Sequence, residues 1–181
     1  PAWVEQGVAE YARRIPREVS VEWLDIPPAK RGAATPAQYR EQEAEAIEAR
    51  LKDKDYVVAL DITGKAVSTE LIAERFDQWQ MQGDQVSILI GGPDGLHPQI
   101  LKGAKERWSL GQIPLPHPLV RVILAEQLYR AWSLQARHPY HRDNNARFIY
   151  RCKGNKQAVI PVTFAHRLLV IDRVLRDTDY L

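Results

Sequence analysis

The chain has 181 residues, of which 45% are apolar and 27% charged, and its formal net charge is +2. A chain of this size and apolar content buries a sizeable core, and its low net charge excludes disorder as the dominant state. The single cysteine excludes a disulfide framework and a cysteine-based zinc site. No apolar run reaches the length of a membrane span and no signal peptide opens the chain, so we expect a cytoplasmic protein without a membrane partner.

The positive charges are unevenly distributed along the chain. Residues 143–181 hold seven of the 25 basic residues and four of the 23 acidic ones. Residues 1–142 are left with 18 basic and 19 acidic residues. Overall charge therefore gives no reason to expect that this longer part binds nucleic acid.

The first half of the chain predicts helices and strands in alternation. Apolar residues at helical spacing indicate a helix over 3–15, and alternating apolar and polar residues indicate a strand over 19–26. Thr35-Pro36-Ala37-Gln38 has the pattern of a capping box and predicts the start of a second helix. The apolar run Tyr56–Leu60 is typical of a buried parallel strand, and we expect it to end in a turn at Asp61–Gly64.

The alternation continues in the second half. Ser68-Thr69-Glu70 predicts a helix start, and Val86–Ile90 predicts a second buried strand. Two more helices are expected, one from His97-Pro98 to about Trp108 and a long one from Val120 to about Leu134. The order of elements predicts an α/β fold with a mostly parallel sheet, in which ligands bind outside the carboxyl ends of the strands.

Two loops are candidates for a ligand site at that edge of the sheet. Gly91-Gly92-Pro93-Asp94-Gly95 lets backbone approach a ligand closely, although a tight turn without a ligand explains it equally well. Leu110–Pro118 has three prolines within five residues, which fix a rigid path. That loop either holds a flat heterocycle through backbone groups or only connects two elements. Dinucleotide and phosphate-loop motifs are absent from the sequence.

Cations, imidazoles and a phenol cluster around the end of the long predicted helix. The cluster consists of Arg121, Arg130, Arg137, His138, Tyr140, His141 and Arg142. Such side chains suit the phosphates and stacked bases of RNA. A solvated helix end, whose cations interact favourably with the helix dipole, explains them somewhat better on charge alone. The five histidines lack the spacing of metal ligands, so we expect no metal site.

Six longer segments taken together resemble one known family. They are 57–65, 89–96, 108–110, 115–121, 126–132 and 138–142. Over residues 1–142 the chain resembles the RlmH family of the SPOUT superfamily. Members of that family are methyltransferases that methylate N3 of a pseudouridine in the 23S rRNA of the large ribosomal subunit.

The resemblance implies a SPOUT-type α/β knot, in which the C-terminal part threads a deep trefoil knot. It also implies S-adenosylmethionine (SAM) as methyl donor, 23S rRNA within the ribosome as substrate, and a homodimer whose active site is completed across subunits. Carried over by position, the SAM contacts are Leu60, Gly91, Leu110, Gly111, Gln112, Ile113, Pro114 and Leu115. Pro114 departs from the family, which often has a residue other than proline at this position. A proline can offer only its carbonyl to the cofactor.

The implied reaction assigns roles to the residues at the end of the matching region. The N3–H proton of pseudouridine must be lost before the nitrogen attacks the sulfonium methyl, so the protein contributes alignment and stabilises negative charge on the base. Arg130 and Arg142 are candidates for that stabilisation, and His138 or His141 for the proton acceptor. Tyr140 is a candidate for stacking on the base or hydrogen bonding to it.

The chain departs from the family at both ends. The apolar strand that opens the family has no counterpart before Pro1, and 39 residues follow Arg142. We therefore expect a SPOUT methyltransferase domain at 1–142, lacking its N-terminal strand, and a basic C-terminal extension of unknown role at 143–181. The competing hypothesis is a catalytically impaired relative that binds RNA or the ribosome. A SPOUT methyltransferase for tRNA is a third reading, which the 138–142 motif disfavours.

The extension contains two apolar segments. Its apolar residues Leu168, Ile171, Val174 and Leu175 predict a helix. One interpretation of the extension is a fusion or read-through segment without a function of its own. The alternative is that Val159–Phe164 replaces the missing strand, although Pro161 argues against a central position in a sheet. Residues 153–177 faintly resemble the C-terminal helix of an insertion-sequence transposase family, without the acidic catalytic residues of such an enzyme.

Overall fold

The computed structural model describes residues 1–16, 19–27, 35–92, 94–138, 140 and 166–173. Within these ranges the helices are α1 (Ala2–Ala12), α2 (Pro36–Glu48), α3 (Thr69–Gln82), α4 (Pro98–Gly103) and α5 (His117–Gln135). The strands are β1 (Val19–Ile26), β2 (Tyr56–Ala66), β3 (Val86–Ile90), β4 (Glu106–Ser109) and β5 (His166–Arg173).

The five strands form one sheet in the order β1-β5-β3-β2-β4, and every neighbouring pair is parallel. Helix α5 packs against α1 and α3, whereas α2 contacts β1 and α4 contacts β2. Buried apolar residues form one core with Leu124 and Leu128 of α5 and another with Ile47 of α2 and Ile100 of α4. The α/β class and the mostly parallel sheet are thus confirmed. The trefoil knot stays a prediction.

Strand β5 lies in the C-terminal extension and occupies the middle of the sheet. It pairs with β1 over its whole length and with β3 from Leu168 to Asp172. Its side chains alternate between the cores, with Leu168 and Val170 in one and Leu169 and Ile171 in the other. The helix predicted there is therefore wrong over the described residues. Leu168–Ile171 form a strand that is buried on both faces of the sheet, and such a strand needs a continuous apolar run. Val159–Phe164 lies outside the described residues.

The predicted starts of α2 and α3 are confirmed by capping hydrogen bonds. The Thr35 side chain accepts from the Gln38 backbone N–H, and the Gln38 side chain accepts from the Thr35 N–H at 2.8 Å. The Ser68 side chain caps α3 in the same way through Leu71. Helix α3 ends at Gly83, whose φ of 73° is left-handed.

Two expectations about boundaries are wrong. Strand β2 does not turn at Asp61–Gly64 but continues to Ala66, and its pairing with β4 shifts register between Leu60 and Lys65. The helix after His97 ends at Gly103 instead of Trp108, because the following residues form β4 against β2. Trp108 is only 1% exposed there, so the edge of the sheet buries a side chain that helical spacing had placed on α4.

Candidate functional site

A cavity of about 310 Å³ opens at the carboxyl ends of β2, β3 and β4. Its volume lies in the range of small-molecule sites, and its position is the one expected for a ligand in a parallel α/β sheet. The walls come from the end of β2, the loop after β3, the loop between β4 and α5, and the first turns of α5. Lining residues include Leu60, Asp61, Ile62, Ile90, Gly91, Gly92, Gly95, Leu96, Trp108, Ser109, Leu110, Gly111, Ile113, Pro114, Leu115, His117 and Val120.

One wall is an irregular segment of β2. Both Leu60 and Lys65 pair with Trp108, so the four residues between them bulge out of the ladder. Asp61 stabilises the bulge, because its carboxylate accepts from the Thr63 backbone N–H at 3.2 Å and from the Thr63 hydroxyl at 2.7 Å. The bulge brings Asp61 and Ile62 to the mouth of the cavity.

Glycine is required at two places around the cavity. A Cβ atom on Gly91 would lie 2.8 Å from the backbone nitrogen of Leu96, which is closer than real Cβ contacts come. Gly111 has a φ of 143°, a conformation that side-chain-bearing residues rarely adopt. Backbone therefore forms the cavity wall directly at both positions, as a site that recognises its ligand through main-chain groups needs.

The loop between β4 and α5 is held by its own polar groups. The Ser109 hydroxyl donates to the Gly111 carbonyl at 3.0 Å and accepts from the Gly111 N–H. Val67 donates its backbone N–H to the Ser109 carbonyl at 3.1 Å, which ties the loop to the end of β2. The side chain of Ile113 is 77% exposed at the loop tip. The loop therefore presents apolar surface from a fixed base.

The structure gathers most of the residues expected to contact SAM. Leu60, Gly91, Leu110, Gly111, Ile113, Pro114 and Leu115 all line the cavity. Gln112 belongs to the same loop but is exposed and does not line it. Their role as SAM contacts stays a prediction that this geometry supports.

A buried ionic cluster lies beside the cavity at the start of α5. Asp172 of β5 is 1% exposed, and its Oδ1 and Oδ2 lie 2.8 Å from His117 Nε2 and 2.8 Å from Arg121 Nε. Arg121 also reaches Asp25 of β1 at 2.9 Å and lies over the Trp23 ring. Arg121 is therefore held by carboxylates at one end of α5, away from the cationic cluster in which the sequence placed it.

The other end of α5 carries the polar cluster around Arg130. Its guanidinium Nε donates to Glu126 at 2.7 Å, and its Cζ lies 5.1 Å from the centre of the Tyr140 ring. The hydrogen bond to Glu126 raises the pKa of Arg130. Tyr140 donates its hydroxyl to the same Glu126 oxygen at 3.1 Å. Burial, aided by the Glu126 charge, raises the pKa of Tyr140 to about 12.

His138 lies within an aromatic group that continues this cluster. Its ring centre is 5.7 Å from that of Trp132 and 6.3 Å from that of Tyr129, and its Nδ1 accepts from the Tyr140 backbone N–H at 3.2 Å. The ring centres of Tyr129 and Tyr140 are 4.6 Å apart. The structure thus brings Arg130, His138 and Tyr140 together. His141 and Arg142 lie outside the described residues.

The cavity and the Arg130 cluster lie at opposite ends of one helix. His117 lines the cavity and Arg130 follows it after 13 residues of α5. At 1.5 Å of rise per residue, that separation is about 20 Å along the helix axis. Within one chain the cofactor candidates and the catalytic candidates are therefore not assembled into a single site.

Glu126 and Asp172 are functional candidates that sequence reasoning missed. Glu126 lies in the family-like segment 126–132, but the sequence assigns it no role, although its position four residues before Arg130 is a signal for an ion pair on a helix. Asp172 had no local signal, because its partners His117 and Arg121 are far away in the chain.

The described part of the chain contains neither a candidate metal centre nor a candidate membrane span. Among these residues, no group of three His, Cys, Asp or Glu side chains is arranged to hold a metal ion. No described helix combines the length and apolar character of a membrane span.

Comparison with known proteins gives a consistent match over the same region. The family model for predicted SPOUT methyltransferases matches residues 1–141. A protein of Chromohalobacter salexigens named ribosomal RNA large subunit methyltransferase H is 51% identical over 143 residues, which cover 78% of this chain and 92% of that protein. Proteins of the same name from Hahella chejuensis and a Marinomonas species are each 46% identical over 144 residues, and 92% of each is covered.

Proposed function

We propose, since the chain belongs to the SPOUT methyltransferase family, that it transfers a methyl group from SAM to N3 of a pseudouridine in 23S rRNA of the assembled ribosome. The observation that carries the proposal is the cavity at the carboxyl ends of three parallel strands, lined by seven of the eight residues that the resemblance assigns to SAM. The cytoplasm is the proposed location, where ribosomes are found.

The composition of the cavity supports SAM as the ligand. Apolar side chains such as Leu60, Leu110 and Leu115 provide surface for a flat heterocycle, and the backbone at Gly91 and Gly111 is open to approach. SAM supplies the reactive methyl group when it is bound. The protein's contribution at this end is to hold the ligand in one orientation and exclude water.

The Arg130 cluster supports the role of binding the target base. Arg130 can stabilise negative charge that develops on the base as its imide proton leaves. Because its raised pKa of about 12 keeps Tyr140 protonated at neutral pH, the phenol acts by stacking or by hydrogen bonding and not as a base. His138 is the candidate for the proton acceptor among the described residues, and His141 is the alternative. Arg142 is proposed as a second cation beside Arg130.

The separation of the two clusters supports a homodimer with composite sites. A cavity and an Arg130 cluster about 20 Å apart on one helix cannot act on the same methyl group. An antiparallel arrangement of two copies of α5 would bring the cavity of one subunit to the Arg130 cluster of the other. Such a twofold arrangement creates two equivalent sites.

The test combines SAM binding by calorimetry with single-turnover transfer of labelled methyl to ribosomes that lack the modification. Arg130→Ala is expected to slow transfer by about 100-fold or more while the SAM dissociation constant stays unchanged. Arg13→Ala is the matched control, because Arg13 is an exposed arginine paired with Glu10 on α1. Full transfer by Arg130→Ala would contradict the role of Arg130. Ribosome binding without SAM affinity would establish the noncatalytic alternative.

A further inference from the structure

The C-terminal extension places one buried charge beside the proposed cofactor cavity. Asp172 is next to last in β5, and among the described residues of that strand it is the acidic one. It is 1% exposed, although an isolated buried carboxylate is strongly unfavourable in a protein interior. A strand that only completed the sheet would have no need of a charge at this position.

Asp172 contacts two side chains of α5 at once. One carboxylate oxygen is 2.8 Å from His117 Nε2 and the other is 2.8 Å from Arg121 Nε. His117 and Arg121 are four residues apart and therefore lie on one face of the first turns of α5. The carboxylate thus fixes the rotation of this helix end against β5.

The start of α5 has no side-chain cap. Pro116 is the N-cap residue and makes no side-chain capping hydrogen bond. A carboxylate close to the first turn is stabilised by the positive end of the helix dipole. Asp172 therefore holds this end of α5 through the side chains of His117 and Arg121.

The neighbouring strand adds a second carboxylate to the same arginine. Asp25 of β1 is the register partner of Asp172, and Arg121 contacts both. Two carboxylates at adjacent positions of neighbouring strands repel each other. The Arg121 guanidinium contacts both of them and offsets this repulsion. The arginine thereby ties α5 to β5 and β1 together.

These contacts reach the cavity on two sides. His117 itself lines the cavity. A small void of about 10 Å³ lies next to the cavity; Asp172 lines this void together with Gly91 and Gly92, and both glycines also line the cavity. We propose that Asp172 is a positioning residue, which sets the cavity wall formed by His117 and the Gly91–Gly92 backbone. The proposal rests on the proposed SAM site. It gives the C-terminal extension a role in the reaction beyond completing the sheet.

The first experiment measures SAM affinity in full-length Asp172→Asn. This variant keeps the shape of the side chain and removes its charge, so His117 and Arg121 lose their shared anchor. The SAM dissociation constant is expected to rise about tenfold or more. Asp25→Asn is the matched control, since it removes an exposed carboxylate from the same arginine and leaves both Asp172 contacts in place, and its SAM dissociation constant is expected to change less than that of Asp172→Asn.

A second control separates positioning from loss of stability. Val170→Ala removes apolar contacts from the same strand, where Val170 is completely buried, and lowers the unfolding midpoint without touching the cluster. Affinity measured well below both midpoints is expected to fall in Asp172→Asn alone. Equal losses in both variants, or an unchanged dissociation constant in Asp172→Asn, would overturn the proposal.

A third measurement keeps the inference distinct from the proposed function. If the unaltered protein binds no SAM, the cofactor proposal is wrong. A double-mutant cycle of Asp172→Asn and His117→Gln in urea unfolding then decides whether the two side chains are coupled. Coupled effects support the positioning contact, and additive effects overturn it.

Discussion

Glu106 is the residue on which the aromatic wall of the cavity depends. It accepts hydrogen bonds from the Tyr56 hydroxyl at 2.6 Å, the Trp108 indole N–H at 2.9 Å and the Arg75 guanidinium at 3.1 Å. Trp108 lines the cavity and stacks on Trp79 with ring centres 5.7 Å apart. The carboxylate therefore fixes the orientation of an indole ring that lines the proposed cofactor cavity.

The protonation behaviour of this cluster predicts a pH-dependent stability. Burial pushes the pKa of Glu106 upward, but hydrogen bonds from Tyr56, Trp108 and Arg75 outweigh burial and leave the pKa below its ordinary value. A carboxylate with a lowered pKa in the folded state stabilises that state above its unfolded pKa. This stabilisation is lost as the pH falls through the folded pKa.

Glu106→Gln is expected to lower the free energy of unfolding by about 1–3 kcal/mol near neutral pH, because charged hydrogen bonds become neutral or are lost. The difference from the unaltered protein is expected to shrink as the pH falls below the folded pKa, since Glu106 is then protonated in both states. Urea titrations across that range measure it. Glu74→Gln, an acidic residue of the neighbouring helix with an exposed hydrogen bond, is the control. A difference independent of pH would contradict this account.

At the residue scale, sequence reasoning found local partners and missed distant ones. The capping pairs of Thr35 with Gln38 and Ser68 with Leu71 span three residues and have known sequence patterns. Tyr56 and Glu106 are 50 residues apart, and no local pattern joins them. Their contact follows from the pairing of β2 with β4, which is decided by the fold as a whole.

At the scale of elements, this restriction to local partners explains why the sequence predicts a helix where β5 lies. Strands β2 and β3 were predicted because turn signals follow their apolar runs. In β5 the run Leu168–Ile171 is only four residues long, and Val174 and Leu175 extend it at helical spacing. A short apolar run does not distinguish a buried strand from a helix. What decides the matter is the gap between β1 and β3, which eight residues of β5 fill.

The central position of β5 predicts the effect of removing it. Ending the chain after Arg142 leaves the edges of β1 and β3 unpaired and removes four buried apolar side chains, those of residues 168–171. Exposed strand edges of this kind promote aggregation. The shortened chain is expected to lose its cooperative thermal transition and to aggregate, as circular dichroism and light scattering would record.

A chain ending after Arg173 is the control for this truncation, because it retains the whole of β5. It is expected to keep the transition of the full chain. If the chain ending at Arg142 unfolds with the same midpoint, the methyltransferase domain at 1–142 is independent of the extension, and the central role of β5 is wrong.

At the scale of the whole molecule, the cavity and the Arg130 cluster, which are the two halves of the proposed site, lie at two ends of α5. One end has the cavity with apolar and backbone walls, and the other has Arg130, His138 and Tyr140. Sequence reasoning named most members of both groups because each lies in a contiguous motif. Sequence reasoning could not give the distance between the cavity and the Arg130 cluster, because that distance depends on α5 running straight between them.

This separation predicts that two inactive variants restore activity when their subunits mix. Leu115→Trp fills the cavity with an indole ring, and Arg130→Ala removes the cation at the other end of α5. In a composite dimer, each mixed pair has one site with both defects and one with neither. Random exchange makes half of the dimers mixed, so the mixture is expected to show about a quarter of the unaltered transfer rate, although each variant alone is inactive.

Differently tagged subunits establish that exchange has occurred, and circular dichroism establishes that both variants fold. If exchange is complete and the mixture stays as inactive as its components, each site is built from a single subunit, and the composite dimer is wrong.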